Sequence, residues 1–318
     1  MSNADAPTPR DIAAAQAALR DVVRHTPLEP SAVLSEAAGM PVHLKLECWQ
    51  RTRSFKIRGA YHAIARLTAQ QRARGIVTAS AGNHGQAVAL AARELGAHAT
   101  VFLPRTAPLL KQERIRRLGA ELRMDAPDYD AAEAQAHAYA RDAGRTFVHA
   151  FSDPDIIAGQ GTVGAEILAD LPEVRTVVVP VGGGGLVTGI GIVLKDADPG
   201  IRVLGVQSTE TRAMHAAFEA GRAVDVPVPP TLADGLAGCT DEASYRRARA
   251  VVDDIVLVSE SEIADAIRVL YAEGVLAEGA GAVGAAAVLA GRVPLAGPVV
   301  VVVSGGNIDA QRLVEVLS

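Results

Sequence analysis

The chain has 318 residues, is 49% hydrophobic and 21% charged, and carries a net charge of -5. This suits one large or two medium globular domains, and without a basic block it excludes a nucleic-acid or anionic-membrane footprint. No segment reaches the length of a membrane span, no signal peptide opens the chain, and two distant cysteines, Cys48 and Cys239, predict a reducing, cytoplasmic protein.

Thr8 is placed to cap a first helix, with Pro9 at its first position and apolar residues recurring to Val23. Residues 26–30 form an extended break, and a short helix ends near Gly39. A strand over 42–47 leads to Ser54-Phe55-Lys56-Ile57-Arg58-Gly59-Ala60, which opens a helix running to Leu67. Ser54 reads as its N-cap, leaving Lys56 in the first helical turn. The positive end of the helix dipole disfavours a lysine there, and Arg53 and Arg58 add like charge. Both effects depress its pKa toward the neutral amine that attacks carbonyls; a solvated surface lysine is the plainer alternative.

From residue 75 strands and helices alternate. Strands are expected over 75–79, 99–103, 121–124 and 146–149, and helices over 86–95, 109–118 and 131–142, stopped by Gly96, Gly119 and Gly144. A second series follows Gly159-Gln160-Gly161: a helix over 162–171, a buried strand over 175–181, a helix after the glycines at 182–185, a strand over 202–206 and a helix over 213–221. Residues 224–238 are proline-rich and loop-like. Helices over 261–273 and 279–290 flank Glu278, and a buried strand over 299–303 precedes a last helix. The alternation predicts an α/β fold of two facing, parallel, doubly wound sheet domains with a cleft between them. Residues 1–72 and 150–318 would form the larger domain and 73–149 the smaller.

In open parallel sheets ligands sit where strands end and helices begin, and four such junctions carry unusual residues. The first is the Lys56 turn. The second, Thr78 to Gln86, has small residues that let backbone N–H groups approach a carboxylate, with Asn83 adding an amide; an ordinary capped turn explains it equally well. The third, Gly182-Gly183-Gly184-Gly185-Leu186, weakens the chain unless its backbone bends tightly or touches something, and a phosphate is the natural partner. It is neither a Walker loop nor a dinucleotide fingerprint, because Val187 and Thr188 stand where the last glycine would fall. The fourth, Ser304-Gly305-Gly306-Asn307, is not a nucleophile elbow, but its hydroxyl can hydrogen-bond a ring nitrogen without protonating it; a helix cap is the alternative. An imine-forming amine, an anion turn, a phosphate loop and a ring-nitrogen partner together point to pyridoxal phosphate.

The order SFKIRGA, SAGNHGQAVA, AGQGT, GGGGL, EGAGA and SGGN, spread from residue 54 to 307, resembles the serine/threonine dehydratases of the second structural class of pyridoxal-phosphate enzymes, the tryptophan synthase β-like class. The resemblance implies that Phe55 and Lys56 are among the cofactor-binding residues, and that Lys56 carries the cofactor as an imine and later takes the substrate α-proton. Asn83 matches the partner of the cofactor's phenolic oxygen, Gly182, Gly183, Gly184, Gly185 and Leu186 its phosphate loop, and Ser304 the partner of its pyridine nitrogen. Ser80, Ala81, Gly82 and His84 match the loop that holds the substrate carboxylate, and Glu278, matching an acidic residue near the cofactor face, is expected with them among the substrate-binding residues.

The implied reaction is β-elimination of L-threonine or L-serine to a 2-oxo acid and ammonia, in a homodimer. A neutral serine at the pyridine nitrogen makes the ring a weaker electron sink, which favours elimination over transamination. Relatives acting on hydroxyaspartate, phenylserine or a hydroxyectoine breakdown product share these motifs. Two alternatives stay within the fold, a β-replacement synthase, in which Asp-Arg typically follows the lysine, and a racemase. Serine racemases place a second serine where this chain has Ala81. Members that bind a divalent cation place a glutamate and an aspartate where this chain has Gln207 and Ala213, so no such metal site is expected. The chain also stops soon after the SGGN loop, which leaves no room for a C-terminal regulatory domain.

Overall fold

The computed structural model describes residues 6–107 and 109–318. Helix α1 (Pro9–Leu19) starts where its capping residues place it, with Thr8 and Asp11 exchanging hydrogen bonds in a capping box. The extended break becomes strand β1 (Leu28–Pro30), and α2 (Ala32–Ala38) ends on Gly39 in the left-handed region at φ 68°. Strand β2 (Val42–Lys45) pairs antiparallel with β1. The larger sheet is therefore mixed, with one antiparallel edge, where Pro30 costs no ladder bond.

Next come α3 (Lys56–Arg66), α4 (Ala69–Arg74), β3 (Ile76–Ala79), α5 (Asn83–Glu94), β4 (Ala99–Pro104), α6 (Leu109–Arg117), β5 (Glu121–Ala126), α7 (Tyr129–Asp142) and β6 (Thr146–Phe147). Their strands form a wholly parallel sheet in the order β5-β4-β3-β6. The chain then returns through α8 (Pro154–Asp170), β7 (Thr176–Pro180), α9 (Gly185–Ala197), β8 (Arg202–Ser208), α10 (Ala213–Ala220), α11 (Glu242–Arg249), β9 (Asp254–Val258), α12 (Glu260–Ala272), α13 (Gly279–Leu289), β10 (Val299–Val302) and α14 (Ala310–Leu317). The larger sheet runs β1-β2-β10-β7-β8-β9.

Alternation along β10 explains why the larger sheet is apolar on both faces. Val299 and Val301 pack with α12 and α13, while Val300 and Val302 pack with α8 and α9, and all four are fully buried. Helices thus cover both faces, and strand ends meet helix starts along one edge.

Several expectations need correction. Helix α8 begins at Pro154, capped by Asp153, and runs straight through Gly159-Gln160-Gly161 rather than starting after them. Those glycines serve close helix packing: a Cβ on Gly159 would lie 2.6 Å from the Cα of Gly59, and one on Gly161 would lie 2.9 Å from the carbonyl of Gly189. Helix α5 starts at Asn83, earlier than expected, because Gly85 lets its first turn sit against the Ser80 carbonyl. Ser54 does not cap α3; Phe55 holds that position without a side-chain cap, and the Ser54 backbone bridges Gly305 instead. Helices α4 and α11 and strand β9 were not foreseen.

Candidate active site

The lysine turn and the end of β10 are joined backbone to backbone. Phe55 N–H donates to the Ser304 carbonyl at 3.1 Å, Gly306 N–H donates to the Arg53 carbonyl at 2.8 Å, and Ser54 bridges Gly305. Arg53 turns the chain into this contact with φ 56°, a left-handed value for a residue with a side chain. Lys56 and Ser304, far apart in sequence, are thereby fixed to one frame.

The Lys56 amine donates to the Ala150 carbonyl at 2.9 Å. Burial pushes its pKa down to about 8, against a smaller upward pull from Glu278. The direction is the one expected, but the cause is not the neighbouring arginines. The Arg58 guanidinium is wholly buried between Glu47, which it meets at 2.7 and 2.8 Å, and Glu166, at 2.7 and 2.9 Å, so its charge is spent there. Desolvation of the amine does the work instead.

Asn83 stands in the first turn of α5 and uses both ends of its amide. Its Nδ2 donates to Glu278 Oε1 at 2.6 Å, and its Oδ1 accepts from Asn307 Nδ2 at 2.7 Å. Asn307 closes the ring by donating its backbone N–H to Glu278 Oε2 at 3.1 Å. Glu278 is buried at the head of α13 with no lysine or arginine in ion-pair range among the described residues. Burial, then the nearby Asp234 charge, push it up to about 7, while the bonds from Asn83 and Asn307 pull the other way.

Steric contact explains three of the four loop glycines. A Cβ on Gly183 would clash with the Phe151 ring, one on Gly185 would lie 2.7 Å from the Phe151 carbonyl, and Gly184 takes φ 92° with Met214 Cε 2.7 Å from any added carbon. The loop ends at the N-terminus of α9, where backbone N–H groups are free to meet an anion, and Leu186 anchors it in the core.

On the remaining loop, Ser80 Oγ accepts from Gly82 N–H at 3.1 Å, and Ala81 is half-buried beside it. His84 turns its ring inward, with Nε2 donating to the Val148 carbonyl at 3.2 Å. Burial and the Lys56 charge push it down to about 3, so it is a neutral buttress at the back of the loop. At the positions of interest for a divalent cation, Gln207 gives both polar ends to backbone: Nε2 donates to Val181 O at 3.1 Å and Oε1 accepts from His215 N–H at 2.8 Å.

Asn307 enters the sequence reading only as the end of the SGGN loop, without a role, and Ala150 and Phe151 not at all. For the latter two the run His149-Ala150-Phe151-Ser152-Asp153, polar and aromatic between a strand and a helix, is the available signal.

The model of a pyridoxal-phosphate dependent enzyme matches residues 19–305. The chain belongs to the pyridoxal-phosphate-dependent enzymes. It is 47% identical over 314 residues to the L-threonine ammonia-lyase of Thermotoga maritima, a match that covers 98% of this chain and 78% of the relative. Among solved structures it resembles maize serine racemase, with a TM-score of 0.93 and 32% identity over 98% of this chain and 96% of that one. It also resembles the processed form of threonine deaminase isoform 2 from Solanum lycopersicum, with a TM-score of 0.91 and 32% identity over 98% and 95% of the two chains.

The residues present fit the cofactor of this family. The Lys56 pKa is lowered toward the neutral amine, the glycine loop presents bare backbone at a helix N-terminus, and among the described residues Ser304 Oγ has only a long 3.5 Å contact to the Ala280 carbonyl.

Proposed function

We propose that this chain is an L-threonine ammonia-lyase that also accepts L-serine. The observation that carries the reading is Lys56: a lysine with a pKa of about 8, hydrogen-bonded to Ala150 and tied through Phe55 to Ser304. The name of the Thermotoga maritima relative supports the choice of reaction and substrate.

On this reading Lys56 would bind the cofactor with Phe55 and Asn83, Gly182, Gly183, Gly184, Gly185 and Leu186 would hold its phosphate, and the Ser304 hydroxyl would serve its ring nitrogen. Bound there, pyridoxal phosphate supplies an electron sink conjugated to the substrate Cα. The loop Ser80, Ala81, Gly82, backed by His84, holds the substrate carboxylate with backbone N–H groups. The Lys56 amine then takes the proton from Cα as general base. The electron pair left at Cα forms a Cα=Cβ double bond as the Cβ–O bond breaks, and the hydroxyl leaves as water with a proton returned by the Lys56 ammonium. The released enamine hydrolyses to 2-oxobutanoate and ammonia. Glu278, on the substrate side of this reading, accepts from the Asn83 amide and fixes it.

The same reading takes residues 1–72 and 150–318 as the cofactor-binding domain and 73–149 as the smaller domain, in a cytoplasmic homodimer. The second reading, a racemase, draws on the likeness to maize serine racemase. Ala81 speaks against it, because alanine has no proton to return to the opposite face of Cα.

Purified protein should be yellow, and borohydride should fix a pyridoxyl group on Lys56. Assays of 2-oxo acid and ammonia with L-threonine, L-serine, hydroxyaspartate and phenylserine rank the substrates, and a chiral assay reads out D-serine. Light scattering of the holoenzyme checks the dimer. A colourless protein that takes up no added cofactor would sink the reading.

A further inference from the structure

Residues 148–153 carry the chain from the smaller sheet back to the larger, and several contacts converge on them. Lys56 Nζ donates to the Ala150 carbonyl at 2.9 Å, Thr78 Oγ1 to the Val148 carbonyl at 2.9 Å, and Arg247 Nη1 to the Ser152 carbonyl at 2.7 Å. The Phe151 ring lies against Gly183 of the glycine loop. A strand-to-helix crossing with so many dependants needs a fixed shape.

His149 provides it. Its Nδ1 accepts the backbone N–H of Phe151 at 3.2 Å and that of Ser152 at 3.1 Å. Neither N–H has another acceptor among the described residues. A ring nitrogen that receives two donors carries no proton itself, so neutral His149 is the Nε2–H tautomer. The ring is held edge-on between Phe147 at 6.2 Å and Phe151 at 4.5 Å, centroid to centroid.

We propose that His149 is a positioning residue for the elimination: its unprotonated Nδ1 pins the Phe151–Ser152 turn, which sets the Ala150 carbonyl that receives the Lys56 amine and the Phe151 ring that backs the glycine loop. Nothing in the reading of the four loops assigns it this part.

Burial of the ring favours the form required. It lowers the pKa against the upward pull of Asp241 at the head of α11, the strongest nearby charge; Lys56 of α3 and His137 of α7 add to the lowering, and Asp153 at the head of α8 adds a smaller upward pull. The neutral ring therefore persists below the usual histidine range. A second ring proton would point at two N–H groups and release the turn.

The inference rests on Lys56 as the cofactor lysine, which borohydride labelling of the unaltered enzyme checks separately. The test compares His149→Ala with His149→Asn, whose Oδ1 stands where the histidine Nδ1 did. Four quantities are read: hydrogen exchange at the Phe151 and Ser152 amides, the dissociation constant for pyridoxal phosphate added to stripped protein, kcat against KM for L-threonine, and Tm. In H149A the two amides should exchange at least about tenfold faster and cofactor affinity should fall about tenfold, the loss expected for two backbone hydrogen bonds. The fall in kcat should exceed the rise in KM, and H149N should stay within about threefold of the unaltered enzyme in every quantity. Unchanged exchange and affinity in H149A overturn the proposal, and so does an H149N variant as impaired as H149A. Should H149A fail to fold, the unaltered holoenzyme decides: exchange at these two amides, corrected for its intrinsic pH dependence, must speed up as acid protonates His149, and a flat profile refutes the pin.

Discussion

Asn83 donates its amide to Glu278 at 2.6 Å, and this one bond joins the first turn of α5 to the head of α13, tying the layer of the smaller sheet to that of the larger. The acceptor is a buried carboxyl pushed up to about 7 from an ordinary 4.5.

That shift makes stability depend on pH. A raised carboxyl pKa means that the folded chain holds a proton the unfolded chain has already lost, across the window from about 4.5 to about 7. The favourable contribution is full below about 4.5 and is lost as pH climbs through about 7. Over the whole window it amounts to about 3 kcal/mol at about 1.4 kcal/mol per pKa unit. Between pH 5 and pH 8, Tm of the unaltered protein should fall relative to that of Glu278→Gln, which cannot ionise. Parallel Tm curves for the two proteins would place the shift elsewhere.

Replacing the lysine should separate chemistry from folding. Lys56→Ala removes the imine partner and the base, and kcat should drop by about 10³-fold or more, within the range a positioned base contributes. Borohydride should leave no pyridoxyl group on the chain, while far-ultraviolet dichroism stays unchanged.

Packing behind the lysine gives a stability test. In Gly159→Ala the new carbon would lie 2.6 Å from Gly59 Cα and from the Arg58 carbonyl, so α3 and α8 must separate. The expected cost is about 1–3 kcal/mol, the usual range for overpacking. Because α3 begins with Lys56, kcat should fall as well. Thermal melts and steady-state assays read the two effects.

The buried charges beside that contact should behave as a unit. Arg58→Ala leaves Glu47 and Glu166 without their shared cation, a loss of about 3–5 kcal/mol by chemical denaturation. Adding Glu47→Gln should recover part of it, since one unpaired charge then disappears.

A single hydroxyl should change the stereochemical outcome. Ala81→Ser places an ionisable proton on the half-buried loop beside Ser80. On the racemase comparison, D-serine should become measurable from L-serine by chiral chromatography. No D-serine would mean that position 81 alone does not control which face is reprotonated.

The four loops were legible because glycine, serine, asparagine and lysine at strand-to-helix junctions are conspicuous against apolar strands. What a residue does through distant partners was not. Arg58 looks like a like-charge neighbour of Lys56 until Glu166 arrives from another helix to neutralise it. The glycines at 159 and 161 read as a helix start by local propensity, yet tertiary contact with Gly59 and Gly189 keeps them helical. Helix α11 lay hidden behind the proline-rich stretch, although Asp241 as its cap and the arginines in its last turn were visible signals. The edge strand β1 reads as no more than an extended break, because Pro27 before it and Pro30 within it mask a short ladder that only β2 reveals.

The contact of Gly59 with Gly159 has a consequence for how this sequence can drift. Most crowded pairs tolerate an enlarged partner when the other becomes smaller. Here neither residue has an atom to surrender, and a carbon on Gly159 would meet main chain alone, Gly59 Cα and the Arg58 carbonyl. A carbon on Gly59 would meet the Gln160 amide and then the Ile156 carbonyl, so trimming Gln160 relieves only half of that crowding. The position of Lys56 is thus guarded by two sites, each kept bare by a backbone carbonyl that no substitution removes.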